Sequence, residues 1–491
     1  MTQAPPSSDA PGYIKSLGLW DIIAINIVAV VGVRWIARGA RIGAPSVTLW
    51  ALAWIAFFVP LTLAVRELAS RYPDQGGAYA WTRRAFGPAH GFICGWCLWV
   101  NNLFYFPSLL LFAAANALLP FGEQYASLAD SRTYSTVFVL TALWLAIGLN
   151  VIGLAAGKWL QNLGTLGIWA PSALLIGAGI VALAVFGSAT SFAPPELLPR
   201  GDLLTSLSLW SAMCFAFSGF EITSYIGQEV KNPTRNIPLG VTIAGLVVTL
   251  IYIGGSASVL VAVPSSALAE RSGIADAVDL VSERVGLPGV GALTGLLVAL
   301  GALAAANSWI GGSARVPFAA GMDNLLPRTF ARLHPRFRTP HVALVVQGAV
   351  SSLIFVVSVF LSVTGGRTTV QDAYDIMVNL TILVYFVPYV YIFLSLGRLR
   401  RVSSDFDRQP LTRAMRVPGG VAGMTLVTTL GLLATTISLG LLFVPPPGTT
   451  AVLNYELNLI LQTLAVIAVG WIMYRRRGAG HKAPGASRHQ P

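Results

Sequence analysis

Apolar residues run along this chain in long blocks, and the polar residues collect in the short gaps between them. Twelve blocks are long enough to cross a bilayer, near 17–42, 46–69, 89–118, 134–154, 162–187, 204–228, 238–263, 287–313, 341–363, 373–396, 418–443 and 452–474. A spanning helix needs about 20 mostly apolar residues, so the pattern predicts an all-α membrane protein with twelve transmembrane helices. Two blocks carry features that a plain span lacks. The first reads LGLWDIIAINIVAVVGVRWIARGARIG, with Gly32 near mid-depth. The sixth begins as an apolar helix at Trp210, meets Ser218-Gly219, and places Glu221 where lipid disfavours charge. A charged group at the bilayer centre costs about 2.5–3.5 kcal/mol on insertion scales, which marks an acid there as functional. A neighbouring glycine lets a helix unwind and bare backbone groups to a cavity. SLGLW at 16–20 also echoes SLSLW at 206–210. Two Gly-interrupted helices at corresponding places, five spans apart, predict inverted repeats.

Composition agrees with the pattern. The chain is 55% hydrophobic and only 11% charged, against about 25% charged in soluble domains. The net charge of +12 invites a nucleic-acid reading, but the basic residues are spread over many short loops. With the N-terminus inside, 24 of the 32 Lys and Arg fall in cytoplasmic segments, so both termini are expected on the inner face of a cytoplasmic membrane. The polar start, MTQAPPSSDAPGYIKS, has no basic n-region or cleavage site and reads as a cytoplasmic tail over 1–16, matched by a second tail over 475–491. Cys94 and Cys97 form CxxC within an apolar helix and read as packing residues, so neither a metal site nor a cofactor is expected. No nucleotide loop and no zinc-protease or serine-hydrolase motif appears; an enzyme is not expected.

Three loop-proximal segments then carry a family resemblance. They are Glu67 to Trp81 (ELASRYPDQGGAYAW) closing at Ala85-Phe86-Gly87, Phe215 to Glu221 (FAFSGFE) with EVKNP at 229–233, and Leu325 to Pro340 (LLPRTFARLHPRFRTP). Together, in this order, they resemble the amino acid–polyamine–organocation permeases of bacterial type. WVNNLFYFP at 99–107 and the first span are similar to the polyamine-uptake subgroup. The resemblance implies a leucine-transporter-like fold: a transport core over 17–400, with inverted repeats 17–187 and 204–396, then a cytoplasmic loop and two peripheral helices over 401–474.

Between the broken spans the resemblance implies a binding site. Family members that hold α-amino acids bare backbone N–H groups at the first break, here Val31, Gly32 and Val33. This chain has one glycine there where the family tends to have two. The glutamate matching Glu221 is associated with gating and coupling. Phe215 matches an aromatic that closes over substrate, and Trp309 a span-eight position lining the same cavity. Ser218 and Gly219 form the second break. On span three, Asn102 and Tyr105, three apart, offer an amide and a hydroxyl. The polyamine subgroup tends to have an acid near Asn101-Asn102, where this chain has amides. Arg34, Arg38 and Arg41 share one helix face. Arg38 and Arg41 read as interfacial, whereas Arg34 is deep enough to pair Glu221 or a substrate carboxylate. Lys158, at the start of span five, reads as a cytoplasmic-interface residue.

These readings point to a secondary amino acid transporter working by alternating access, through proton-coupled symport or exchange, with neutral or zwitterionic amino acids favoured. A polyamine or amine transporter is the alternative, and a non-transporting membrane sensor is the reading from a different class. The expected partners are an amino acid, protons and the lipid bilayer, without nucleic acid; the sequence leaves the oligomeric state open.

Overall fold

The computed structural model describes residues 17–72, 76–199, 203–225, 230–265, 273–322, 326–360, 369–402, 416–444 and 452–478. The tail 1–16, the tail beyond Gly478 and Glu229 of the second motif lie outside the described residues, as does the side chain of Lys158. The first apolar block is two helices, α1 (Leu19–Val30) and α2 (Val33–Ala40), bent by 43°. Asp21 is exposed and accepts the Gly18 N–H at 2.8 Å, capping α1. α3 (Pro45–Arg71) contains a wide turn over Trp54–Phe58. Pro60 follows it and has no N–H to give, so the wider turn absorbs the missing bond.

The chain continues through α4 (Ala78–Phe86), α5 (Pro88–Asn116), α6 (Arg132–Ile152) and α7 (Leu154–Val185). The second broken helix is α8 (Leu203–Ala216) and α9 (Ile222–Tyr225). Then come α10 (Pro233–Ala262), α11 (Gly273–Arg284), α12 (Val290–Ser313), α13 (Arg315–Met322), α14 (His341–Phe360), α15 (Val370–Val402), α16 (Gly420–Leu441) and α17 (Val452–Gly478). Among the described residues, nine helices are long and apolar enough to cross a bilayer, or ten when the bent pair counts as one span. The other two blocks of the twelve are the sixth, shortened to Ser206–Ala216 by its break, and the block 452–474, part of whose side chains lie outside the described set.

The two broken helices lie side by side. α1 meets α9 and α2 meets α8, the pairing that two antiparallel broken rods require. α10, α12 and α15 close around them. Lipid gives helices no hydrophobic reason to associate, so close contact must come from small residues and shape. α7 and α12 supply it: a Cβ on Gly167 would lie 2.6 Å from Gly301 N, so the two backbones touch. α16 packs on α15 and α8, and α17 on α5, outside this core.

Candidate functional site

A broken helix leaves N–H and C=O groups without intrahelical partners, and hydrocarbon offers none. At both breaks, aromatic side chains from other helices fill that need. Trp309 on α12 donates its Nε1–H to Ala29 O at 2.8 Å. Tyr252 on α10 reaches both breaks at once. Its hydroxyl lies 2.7 Å from Val30 O and 3.0 Å from Ala216 O, sharing its one proton between these acceptors, and it accepts the Gly32 N–H at 3.1 Å. Tyr389 on α15 accepts the Gly219 N–H at 2.9 Å. Gly219 itself has φ +108°, and a Cβ there would press on the Trp309 ring at 2.9 Å, so only glycine suits the position.

Glu221 follows that turn and is fully buried. Tyr389 donates to its carboxylate at 2.8 and 2.9 Å, and Tyr385, one turn earlier on α15, donates to Oε1. Tyrosine, rather than arginine, therefore holds this acid. Arg34 lies elsewhere: its guanidinium sits over the rings of Trp35 and Tyr105, with the Cζ atom 4.6 and 5.3 Å from the ring centroids.

Between the breaks is a small cavity lined by Ala29, Val30 and Trp35 of the first break, Asn101, Asn102 and Tyr105 of α5, Phe215, Ala216 and Ser218 of the second, and Trp309 and Tyr385. Phe215 packs edge-on against Trp35 and Tyr385, at 5.2 and 5.5 Å between centroids. Trp309 packs against Tyr105 at 6.0 Å. The rings leave about 20 Å³ open to a water-sized guest, room for about one water, so a larger cargo requires them to part. Asn101 and Asn102 turn their N–H groups back to Leu98 O, at 2.6 and 2.7 Å, which leaves their amide oxygens as the free polar ends.

Of the residues singled out from sequence, Asn102, Tyr105, Phe215, Ser218 and Trp309 line this one cavity. Val31, Gly32, Val33, Gly219, Glu221 and Arg34 stand behind that lining. The Val31 N–H stays in the helix, bonded to Ile27 O at 2.9 Å, and the Gly32 N–H belongs to Tyr252. Sequence reading passed over Tyr252, Tyr385 and Tyr389. Their signal was present as three hydroxyls in apolar spans, each needing a partner, and as the i, i+4 spacing of Tyr385 and Tyr389.

Comparison with known proteins agrees with this architecture. The family model described as "Amino acid permease" matches residues 17–470. A probable agmatine/putrescine antiporter, AguD of Lactococcus lactis, is 24% identical, covering 92% of this chain and 94% of its own. The branched-chain amino acid permease BcaP of Bacillus subtilis is 26% identical over 69% of this chain and 74% of its own. Among solved structures, MhsT in complex with L-phenylalanine superposes with a TM-score of 0.61 at 16% identity, covering 88% of this chain and 99% of that one. That likeness shows the fold, the leucine-transporter arrangement of broken helices.

Proposed function

The chain belongs to the amino acid permease family of the amino acid–polyamine–organocation superfamily, a family of transporters rather than enzymes, and on that premise we propose that it carries neutral or zwitterionic α-amino acids by alternating access. It sits in a bacterial cytoplasmic membrane with both termini inside. Gradients or exchange drive it. Phe215 closes over the cargo, and Glu221 couples protons to the cycle or pins the second break.

The observation that supports this reading most is the pairing of two helix breaks around one cavity, with a buried carboxyl one tyrosine away from it. A plain bundle has no reason to hold so many hydrogen-bonding groups in hydrocarbon; a transporter places its binding site there. The likeness to an agmatine/putrescine antiporter keeps amines as the second reading. A polycation needs carboxylates to compensate its charge in a low-dielectric pocket. Among the described residues that line the cavity none is acidic.

The test is uptake by the purified protein reconstituted into sealed vesicles. Labelled neutral amino acids are expected to accumulate under an inward proton gradient. Glu221→Gln is expected to lose gradient-driven accumulation while keeping exchange of labelled for unlabelled cargo. Unchanged accumulation in that variant confines Glu221 to pinning the break. Uptake of agmatine or putrescine with none of amino acids replaces the reading by the amine one. Binding without accumulation makes the protein a sensor.

A further inference from the structure

Arg34 is a buried charged group beside this site with no acidic partner among the described residues. It lies in the first turn of α2, just past the first break, and is 3% exposed. Its Nε and Nη1 have no hydrogen-bond partner among the described residues. The rings of Trp35 and Tyr105 attract its charge through their faces. A ring face is a much weaker acceptor than an oxygen, so these contacts do not replace the hydrogen bonds that the guanidinium N–H groups call for. Arginine does not escape the problem by losing its proton, and a buried unpaired charge is costly. Glu221, the acid of the second break, is held by Tyr385 and Tyr389 instead.

The same two rings, Trp35 and Tyr105, line the cavity. Arg34 itself stands behind these rings, and a cargo larger than a water has to part them, which brings it towards the guanidinium. Two of the backbone amides at the break are already engaged: that of Val31 is bonded within α1, and that of Gly32 is held by Tyr252. We propose that Arg34 is the carboxylate anchor of this site, holding the cargo's α-carboxylate by charge-assisted hydrogen bonds where backbone N–H groups are otherwise expected to do so. This rests on the reading that the cargo is an α-amino acid, and it names the chemical group that selects it. The carboxylate removes the cost of the unpaired cation, and those bonds are the strong kind. An amine that lacks the carboxylate leaves Arg34 unpaired and adds a second positive charge beside it, so the site discriminates by repulsion as well as attraction.

The experiment compares three probes on the purified full-length protein in detergent, by thermal shift: an α-amino acid that the wild type transports, its methyl ester and its decarboxylated amine. Wild type is expected to bind the amino acid at least about tenfold more tightly than either derivative. Arg34→Ala is expected to weaken amino acid binding by about ten- to a hundredfold and to abolish its advantage over the amine. Arg34→Lys, which keeps the charge but not the fork, is expected to recover part of the preference for acid over amine. An Arg34→Ala protein that still prefers the acid to the amine overturns the proposal while leaving the transport reading intact. If that variant does not fold, the wild type decides alone: equal affinity for the amino acid and its methyl ester overturns the proposal. Failure of the wild type to accumulate any α-amino acid in vesicles removes the transport reading itself, a different result.

Discussion

Three side chains, Tyr252, Tyr389 and Trp309, carry the polar accounting of both breaks. Each brings one hydrogen-bonding atom on a large apolar body, which is what a site in hydrocarbon can accommodate. Tyr252 has the greatest reach, since its hydroxyl touches Val30 O, Gly32 N and Ala216 O and so joins the first break to the second. Tyr252→Phe keeps the ring, including its stacking on Trp50 at 4.6 Å, and removes only that junction. An unsatisfied buried polar group costs about 1–3 kcal/mol, so this variant is expected to melt several degrees lower than wild type in detergent. The comparison Tyr391→Phe, at a part-exposed tyrosine whose hydroxyl meets only the exposed His90 ring, at 3.1 Å, among the described residues, is expected to melt nearer wild type. Equal melting of Tyr252→Phe and wild type shows that the hydroxyl does not join the breaks. The glycine at 219 and the acid at 221 were legible in the sequence because each is improbable in its setting. Tyr252 was not, because a tyrosine in a span is ordinary until its partner is known.

Among the helices, the crossing of α7 over α12 positions the wall that carries Trp309. It rests on backbone contact: a Cβ on Gly167 would meet Gly301 N and Leu297 O at 2.6 Å, and one on Gly301 would meet Gly167 O at 2.7 Å. None of these three backbone atoms can yield without moving a helix. Gly177 lies on the same helix with nothing within 4 Å of its Cβ direction. Gly167→Leu is therefore expected to destabilise by about 1–3 kcal/mol or more, read as a lower melting temperature and a smaller monodisperse fraction on size-exclusion chromatography. Gly177→Leu is expected to behave as wild type. Equal behaviour of the two variants refutes the crossing. The apolar blocks predicted where helices run, and glycine predicted where two of them break. The helix α11 escaped that reading, since it is a short segment between spans rather than a long apolar run, whereas α13 carries the span begun by α12 on to Gly321.

Over the whole molecule, charge orders the ends of the spans. Glu67, fully buried at the end of α3, accepts the Val417 N–H at 2.6 Å and lies 3.4 Å from Arg400 on α15. Arg66 donates to Arg416 O at 3.3 Å. The ends of α3 and α15 and the chain entering α16 are thus tied together on one side, the side to which the basic loops belong. The positive-inside rule makes that side the expected cytoplasmic face. An alkaline phosphatase fusion, active only outside the cytoplasm, is expected to be inactive after residue 478 and active within the segment 445–450. The reverse pattern inverts the orientation.

From the sequence alone came the helical membrane class, the places of most of the spans, the two breaks and Glu221 as a candidate acid among them. These are local properties: hydropathy over about 20 residues, a glycine's freedom and the cost of a charge in lipid are all set by neighbours along the chain. Only the tertiary structure decided that Glu221 answers to Tyr385 and Tyr389, 164 and 168 residues away, and that Tyr252 spans both breaks. It likewise set Arg34 on two aromatic rings instead of against an acid. A hydrogen bond has a reach of about 3 Å and no memory of sequence distance, so which of many polar groups it joins is settled when the helices pack.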